Sequence, residues 1–358
     1  MTQNALLFIP DISGFTEFVH HTEISHSRHI ISELLEVLID SNAYQLELAE
    51  IEGDALFFYK VDDNVDVEML KKQIQDMYIA FHTHLKRYEY ERICHCGACS
   101  SAYNLSLKFI AHYGEIEFIK VKDSTKPYGS NVIQVHRLLK NDVPLSEYAL
   151  FTSNLFPLNS VSEEEKSTET IAQYDFGDIT YTYKGLSRFK EQLPYVPPVP
   201  KDVPKYKILS KTEIIKSPIF DLYEVISNFD YRLLWTKGVD KLEYEKNKVN
   251  RAGQKHKCLI ANGQIVNQTT VTKSIAEGEL VYGESTQEIP FTKQVSIYYV
   301  LKKQSDKETL VSIEVFADFR PFGWFFKGLL KKIFKKNLAE NINELILLID
   351  SGFTTKKR

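Results

Sequence analysis

"LLFIPDISGFTEF", residues 6–18, joins a run of apolar residues to a carboxylate and then to a small, glycine-containing turn. Residues 5–10 read as a buried strand that ends at Asp11, and Ile12, Ser13, Gly14, Phe15 and Thr16 follow at once. A carboxylate at a strand end, beside backbone N–H groups in a tight turn, is one way to hold a metal ion and a phosphate. A lone aspartate in such a place also serves as a helix N-cap or a turn residue. The surrounding sequence has to decide between the two.

A second stretch has the same character. In "ELAEIEGDALFFY", residues 47–59, Asp54 follows a glycine at the start of a strand or within a hairpin turn. Two strands side by side in one sheet would bring Asp11 and Asp54 together. Paired carboxylates against a phosphate-binding turn make a hard-oxygen site, suited to Mg²⁺ or Mn²⁺ in contact with a triphosphate. The N–H groups of Ile12 to Thr16 are the expected phosphate donors, since Gly14 lets the chain turn closely where a helix begins.

Around these stretches the first half alternates its elements. Residues 26–47 predict a helix, with Ile30, Ile31, Leu34, Leu35, Leu38 and Ile39 at three- and four-residue steps. Ala55–Tyr59 reads as a strand, and residues 66–90 as a helix carrying Met69, Ile74, Met77, Phe81 and Leu85. A strand over 105–114 and a helix from Ser130 to Asn141 complete the pattern of an α/β or α+β sandwich. "LPYVPPVPKDVPKY", residues 193–206, holds five prolines and reads as a stiff, extended linker. It divides the chain into a first domain at 1–192, a linker at 193–204 and a second domain at 205–358. The second half predicts alternating strands, a short helix in "PIFDLYEVISNF", and one long helix over about 322–350.

Bulk properties bound the function. The chain has 358 residues, is 43% hydrophobic and 26% charged, and carries a formal net charge of −4, so no global field draws nucleic acid or an anionic membrane. No apolar run approaches the roughly 20 residues that cross a bilayer, and Met1 to Asn4 lack the basic start of a secretory leader. Four cysteines, three of them within 94–99, do not make a disulfide framework, so a cytoplasmic protein with reduced thiols is expected.

The blocks "FIPDISGFTEF", "IEGDALFFY", "LSLKFIAHYGEI" and "YGSNVIQVHRLL", in that order and spacing, resemble the catalytic domain of class III nucleotidyl cyclases over about residues 5–190. "YDFGDITYTYKGLSRFKEQL", 174–193, looks like that family's closing strands. The resemblance implies a ferredoxin-like cyclase-type α/β sandwich. It implies that Asp11 and Asp54 bind two metal ions, Mg²⁺ or Mn²⁺, with help from the Ile12 carbonyl. The Gly14-Phe15-Thr16 turn would hold the β- and γ-phosphates of a purine nucleoside triphosphate. Glu50 would read the purine as guanine-like, and Arg137 would stabilise charge developing on the α-phosphate. The site would be shared across a homodimer. Two positions depart from the pattern. The family's asparagine four residues before the arginine is Ile133 here, which cannot hydrogen-bond a ribose. The second base-reading position falls at Lys126, which suits neither purine code. A catalytically degenerate scaffold is therefore the alternative to a cyclase. Arg137 also reads as a solvated helix residue, and His136 beside it as structural.

"RICHCGACSS" places Cys94, Cys96 and Cys99 around His95. Thiolates so close suit zinc, although three cysteines make an incomplete tetrahedral set; a tight loop of reduced or redox-sensitive thiols is the other reading. Residues 205–355, with "KTEIIKSPIFDLYEVISNFDYRLLW" and the long final helix, resemble the START-like (SRPBCC) helix-grip superfamily. That implies a curved antiparallel sheet around the C-terminal helix, enclosing an apolar cavity for a lipid or other hydrophobic molecule. Trp324, Phe325, Phe326, Leu329, Leu330, Ile333 and Phe334 on this helix are expected in the core. Lys327, Lys331, Lys332, Lys335 and Lys336 would then form a solvated face. The competing reading is a helix that touches an anionic lipid surface.

Overall fold

Eight consecutive buried residues, Ala5 to Ile12, mark the middle of the first sheet rather than its edge. The computed structural model describes residues 2–20, 24–94, 97–155, 169–174, 177–260, 263–353 and 355, and only the backbone of 24, 25 and 169. The chain divides into two compact units. The first comprises residues 1–21, 30–87 and 101–196; the second comprises 22–29, 88–100 and 197–358. Segments 22–29 and 88–100, which a division at the proline-rich linker leaves with the first half, thus belong to the second unit.

The elements up to residue 185 are β1 (Gln3–Ser13), α1 (Phe15–His20), α2 (Ile24–Asp40), β2 (Glu47–Glu52), β3 (Ala55–Val61), α3 (Val67–Tyr90), α4 (Gly97–Ser101), β4 (Ser106–Val121), β5 (Ser124–Tyr128), α5 (Ser130–Arg137), β6 (Tyr148–Thr152), β7 (Glu169–Tyr174) and β8 (Gly177–Gly185). Those within residues 1–21, 30–87 and 101–196 build an α+β first unit. Its sheet runs β2-β3-β1-β4-β6-β8-β7, with β5 paired to β4. Neighbours are antiparallel except β4 and β6. Central placement explains why β1 is apolar on both faces; Phe8 stacks on Phe109 of β4 at 5.6 Å.

Some details differ from the sequence reading. β1 does not stop before Asp11 but pairs with β4 as far as Ser13. Asp11 is therefore a ladder residue and not a strand terminus. α2 ends at Asp40, seven residues early, because the Asn42 side chain closes the next turn. Its Nδ2 donates to the Leu46 carbonyl (2.7 Å) and its Oδ1 accepts from the Leu46 N–H (3.0 Å). In α3, Met69 faces solvent and Leu70 takes its place in the core.

The second unit continues with β9 (Tyr206–Ile215), α6 (Ile219–Ser227), α7 (Phe229–Trp235), β10 (Val239–Glu243), β11 (Lys255–Ile260), β12 (Ile265–Val271), β13 (Glu279–Thr286), β14 (Thr292–Ser305), β15 (Glu308–Phe319) and α8 (Lys327–Asp350). Its seven strands form one antiparallel sheet in the order β10-β11-β12-β13-β14-β15-β9. Asn228 caps α7, its side chain accepting from the Asp230 N–H at 2.9 Å. α8 buries Leu330, Leu338, Ile342 and Leu345 on one stripe.

The expected core placement of the aromatic run is overturned. Trp324 is 60% exposed and Phe325 66%, and Leu329 and Ile333 also face solvent. Residues 323–326 form a 3₁₀ turn before α8 begins. Leu329 and Ile333 fall on the helix side opposite the buried stripe, so neither set can reach the core. The interior, too, is not wholly apolar. Buried Arg232 pairs with buried Glu284, which also accepts from Tyr282 Oη at 2.7 Å. Burial alone would raise the Glu284 carboxyl, but Arg232 and His256 reverse this and hold it at about 2.

Candidate functional site

The β2–β3 hairpin turns at Gly53 and Asp54, with Glu52 opposite Ala55. Gly53 sits at φ +69°, a backbone region that side chains disfavour. Next to this turn, Asp11 of β1 stands opposite Ala55. The Ile12 N–H donates to the Asp54 carbonyl at 3.1 Å. One backbone hydrogen bond thus locks the Asp54 turn against β1 beside Asp11. That bond also takes the Ile12 N–H, which the sequence reading had offered to a phosphate.

The two carboxylates feel one another. The Asp54 carboxyl is pushed up to about 6, first by burial and then by the negative charge of Asp11; the Lys108 ammonium offsets part of this. Asp11 is itself paired: Lys108 Nζ lies 3.0 Å from its Oδ2, and both side chains are mostly buried. Lys108 reaches Asp11 because the β1–β4 register sets the two residues directly opposite. Its ammonium also donates to the Leu139 carbonyl at 3.2 Å.

Gly14 closes the turn after β1 at φ +88°, a conformation only glycine adopts without strain. Its carbonyl accepts from the Phe18 N–H at 3.0 Å, starting α1. Phe15 is half-buried and Thr16 exposed. Glu50 and Lys126 meet in an ion pair, Nζ to Oε1 2.8 Å. The two expected base-reading positions therefore neutralise each other. Arg137 is the exposed last residue of α5, and Ile133 on the same helix is exposed as well. His136 is held by Glu52 (3.2 Å) and packs edge-on against Phe57, a structural setting.

The start of α5 is fixed by a buried relay. Asn131 Oδ1 lies 2.9 Å from His112 Nε2, and Thr152 Oγ1 lies 2.9 Å from His112 Nδ1. Burial lowers the His112 pKa and favours its neutral form. The ring donates from Nε2, and the Thr152 hydroxyl donates to Nδ1.

A different group assembles in the second unit. His26, Cys94 and Cys99 present ligand atoms that all lie within 4.8 Å of one another. His95 and Cys96 lie outside the described residues. Cys258 is on β11, where its thiol contacts Gln268. Sequence reasoning found Cys94 and Cys99 by spacing. It missed His26, 68 positions earlier than Cys94, and Lys108, whose partner only the strand register reveals. No helix among the described residues is long and apolar enough to cross a membrane.

Residues 31–148 match a family described as a protein of unknown function, DUF2652. Over 152 residues the chain is 37% identical to "Uncharacterized protein Rv2561/Rv2562" of Mycobacterium tuberculosis (strain H37Rv), covering 42% of this chain and 70% of that protein. Among solved structures it is similar to the adenylyl cyclase CyaB from P. aeruginosa, with 14% identity and a TM-score of 0.36 over 52% of this chain and 96% of that one. It is also similar to the guanylate cyclase domain of RhGC from Catenaria anguillulae in complex with GTP, with 12% identity and a TM-score of 0.37 over 51% and 97%. At these identities and scores neither likeness carries an activity over to this chain.

Proposed function

The chain belongs to the family of the uncharacterised Mycobacterium tuberculosis protein Rv2561/Rv2562, and from the site in its first unit we propose a metal-dependent, purine-nucleotide-binding function of the class III cyclase type. The observation that carries the reading is the register that sets Asp11 opposite Ala55 and ties the Ile12 N–H to the Asp54 carbonyl, so that the charge of Asp11 adds to burial in raising the Asp54 pKa. Their hard oxygen donors suit Mg²⁺ or Mn²⁺ and not a soft ion. A divalent ion bound there would supply charge neutralisation on a triphosphate. Asp11 and Asp54 would hold it, and Lys108, displaced from Asp11, would turn its ammonium to a phosphate oxygen. The Gly14-Phe15-Thr16 turn would take the outer phosphates. In the proposed reaction the ribose 3′-hydroxyl loses its proton to water, its oxygen bonds to the α-phosphorus, the bond from that phosphorus to the bridging oxygen breaks, and pyrophosphate leaves with that oxygen. Arg137 of a second copy would face the charge that develops on the α-phosphate.

The first test is direct. Purified chain with Mn²⁺ and GTP or ATP is expected to release pyrophosphate and a 3′,5′-cyclic nucleotide, and Asp11→Asn or Asp54→Asn to abolish the product. Equal product from parent and variants would sink catalysis by this route. The Glu50–Lys126 ion pair and the exposed Ile133 favour a second reading, nucleotide binding without turnover. Titration calorimetry showing heat of nucleotide binding, with no product after long incubation, would select it.

For the second unit, a START-like helix-grip domain is the best reading of a seven-stranded antiparallel sheet with one long C-terminal helix. Its buried Arg232–Glu284 pair speaks against a purely apolar ligand chamber. The exposed Trp324, Phe325, Leu329 and Ile333, interleaved with Lys327, Lys331 and Lys332, suit an anionic lipid surface instead. Co-sedimentation with phosphatidylserine vesicles, lost for Trp324→Ser with Phe325→Ser and weak on phosphatidylcholine, is the expected result. Equal sedimentation of parent and variant would remove this reading.

A further inference from the structure

We propose that His26, Cys94 and Cys99 form a binding site for a thiophilic divalent cation, zinc foremost, inside the second unit. The distances carry the case. His26 Nδ1 lies 3.5 Å from Cys94 Sγ and 3.6 Å from Cys99 Sγ. A tetrahedral zinc with sulfur at about 2.3 Å and imidazole nitrogen at about 2.0 Å holds that sulfur and nitrogen about 3.5 Å apart. A single ring nitrogen has one proton or one lone pair to offer, so a hydrogen bond explains its approach to one thiol. An ion between all three donors explains both approaches.

The surroundings fit as well. The far side of the imidazole, Nε2, lies 3.6 Å from Glu224 Oε1 on α6. A carboxylate behind a ligating histidine fixes the ring and raises its basicity, the usual support for a bound metal. Cys94 and Cys99 are both buried, while His26 is half-buried. His26 and Cys94 also line a cleft with Asp230 and Tyr244, which gives an ion a way in. The loop is set in place beforehand: Tyr223 Oη donates to the Ile93 carbonyl at 2.5 Å, one residue before Cys94. Three protein donors leave a fourth position for solvent oxygen or another donor. Binding as dithiolate releases the two thiol protons to water. The ion would clasp the start of α2, the 88–100 segment and, through Glu224, α6. It is independent of the Asp11–Asp54 reading, since soft thiolates and hard carboxylates select different metals.

The test uses the full chain, purified under reducing conditions without chelator. About one zinc per chain is expected by elemental analysis. Replacement by Co²⁺ is expected to give thiolate-to-cobalt charge transfer and tetrahedral d–d absorption. Cys94→Ser with Cys99→Ser should lose the bound metal and both bands. Glu224→Gln, which keeps all three ligands, should weaken binding about 10- to 100-fold, and Asp54→Asn should leave zinc content unchanged. A Co²⁺-loaded parent chain without the charge-transfer band would overturn the site, whatever the fate of the variants. So would parental metal content in the double cysteine variant.

Discussion

Asp54 spends pH values below about 6 protonated, and its neutral form is what the fold prefers. Its folded value lies above the ordinary 3.8, so the folded chain binds a proton that the unfolded chain does not, and this contribution to stability fades as pH rises from 3.8 through about 6. Metal binding has the opposite dependence, because the ion needs the carboxylate. Mn²⁺ affinity measured by calorimetry is therefore expected to rise up to about tenfold per pH unit below 6 and to level off above it. A flat profile from pH 5 to pH 7 would remove Asp54 from the ligand set. At this scale the sequence showed the two aspartates, because a carboxylate before a glycine turn and another after a Gly-Asp turn are local features. Lys108 was hidden. Nothing in "LSLKFIAHYG" says which residue of another strand stands across from it, and only the pairing of β1 with β4 sets Lys108 opposite Asp11.

Among the elements, α8 shows how a single helix divides its labour. Leu330, Leu338, Ile342 and Leu345 fasten it, while Leu329 and Ile333 leave the other side apolar and wet. Leu345→Ala is expected to cost about 2–5 kcal/mol in urea unfolding, and Leu329→Ala to stay within about 0.5 kcal/mol. If the two costs are equal, the burial pattern is wrong. In α3 the split is similar: Tyr78 and His82 reach buried Glu147 at 2.9 and 2.6 Å, joined by Lys190 at 2.7 Å. Burial would raise Glu147, but His82 and Lys190 prevail and hold it at about 2. Helical periodicity located α3 and α8 in the sequence. It could not say which of several apolar stripes faces inward, since Met69 against Leu70, or Trp324 against Leu338, differ only in what the rest of the chain brings to them. The early end of α2 was equally hidden, because apolar periodicity does not report the local Asn42 side-chain bonds to Leu46 that close the turn.

For the whole molecule, the second unit is assembled from three pieces of chain. The 88–100 piece is tied in by the Ala252 N–H donating to the Glu91 carbonyl at 2.8 Å, by Arg251 over the Tyr88 ring, and by Tyr223 on Ile93. A fragment of residues 205–358, cut where the prolines suggest, lacks all of these partners. It is expected to melt well below the transition of the same unit in the intact chain, or to stay unfolded by circular dichroism. An unchanged melting temperature would show that the inserted segments contribute nothing. Proline content marked the cut in the sequence, yet the two excursions across it were illegible, because membership of a core is decided by contacts more than a hundred positions apart, as between Tyr223 and Ile93.

That discontinuity has a consequence during synthesis. Chains generally fold from the N-terminus as they leave the ribosome. Here the 88–100 insert, with the buried thiols of Cys94 and Cys99, emerges more than a hundred residues before Tyr223, Arg251 and Ala252, which tie it in. It must wait, exposed to oxidants and chaperones, until those partners have been translated.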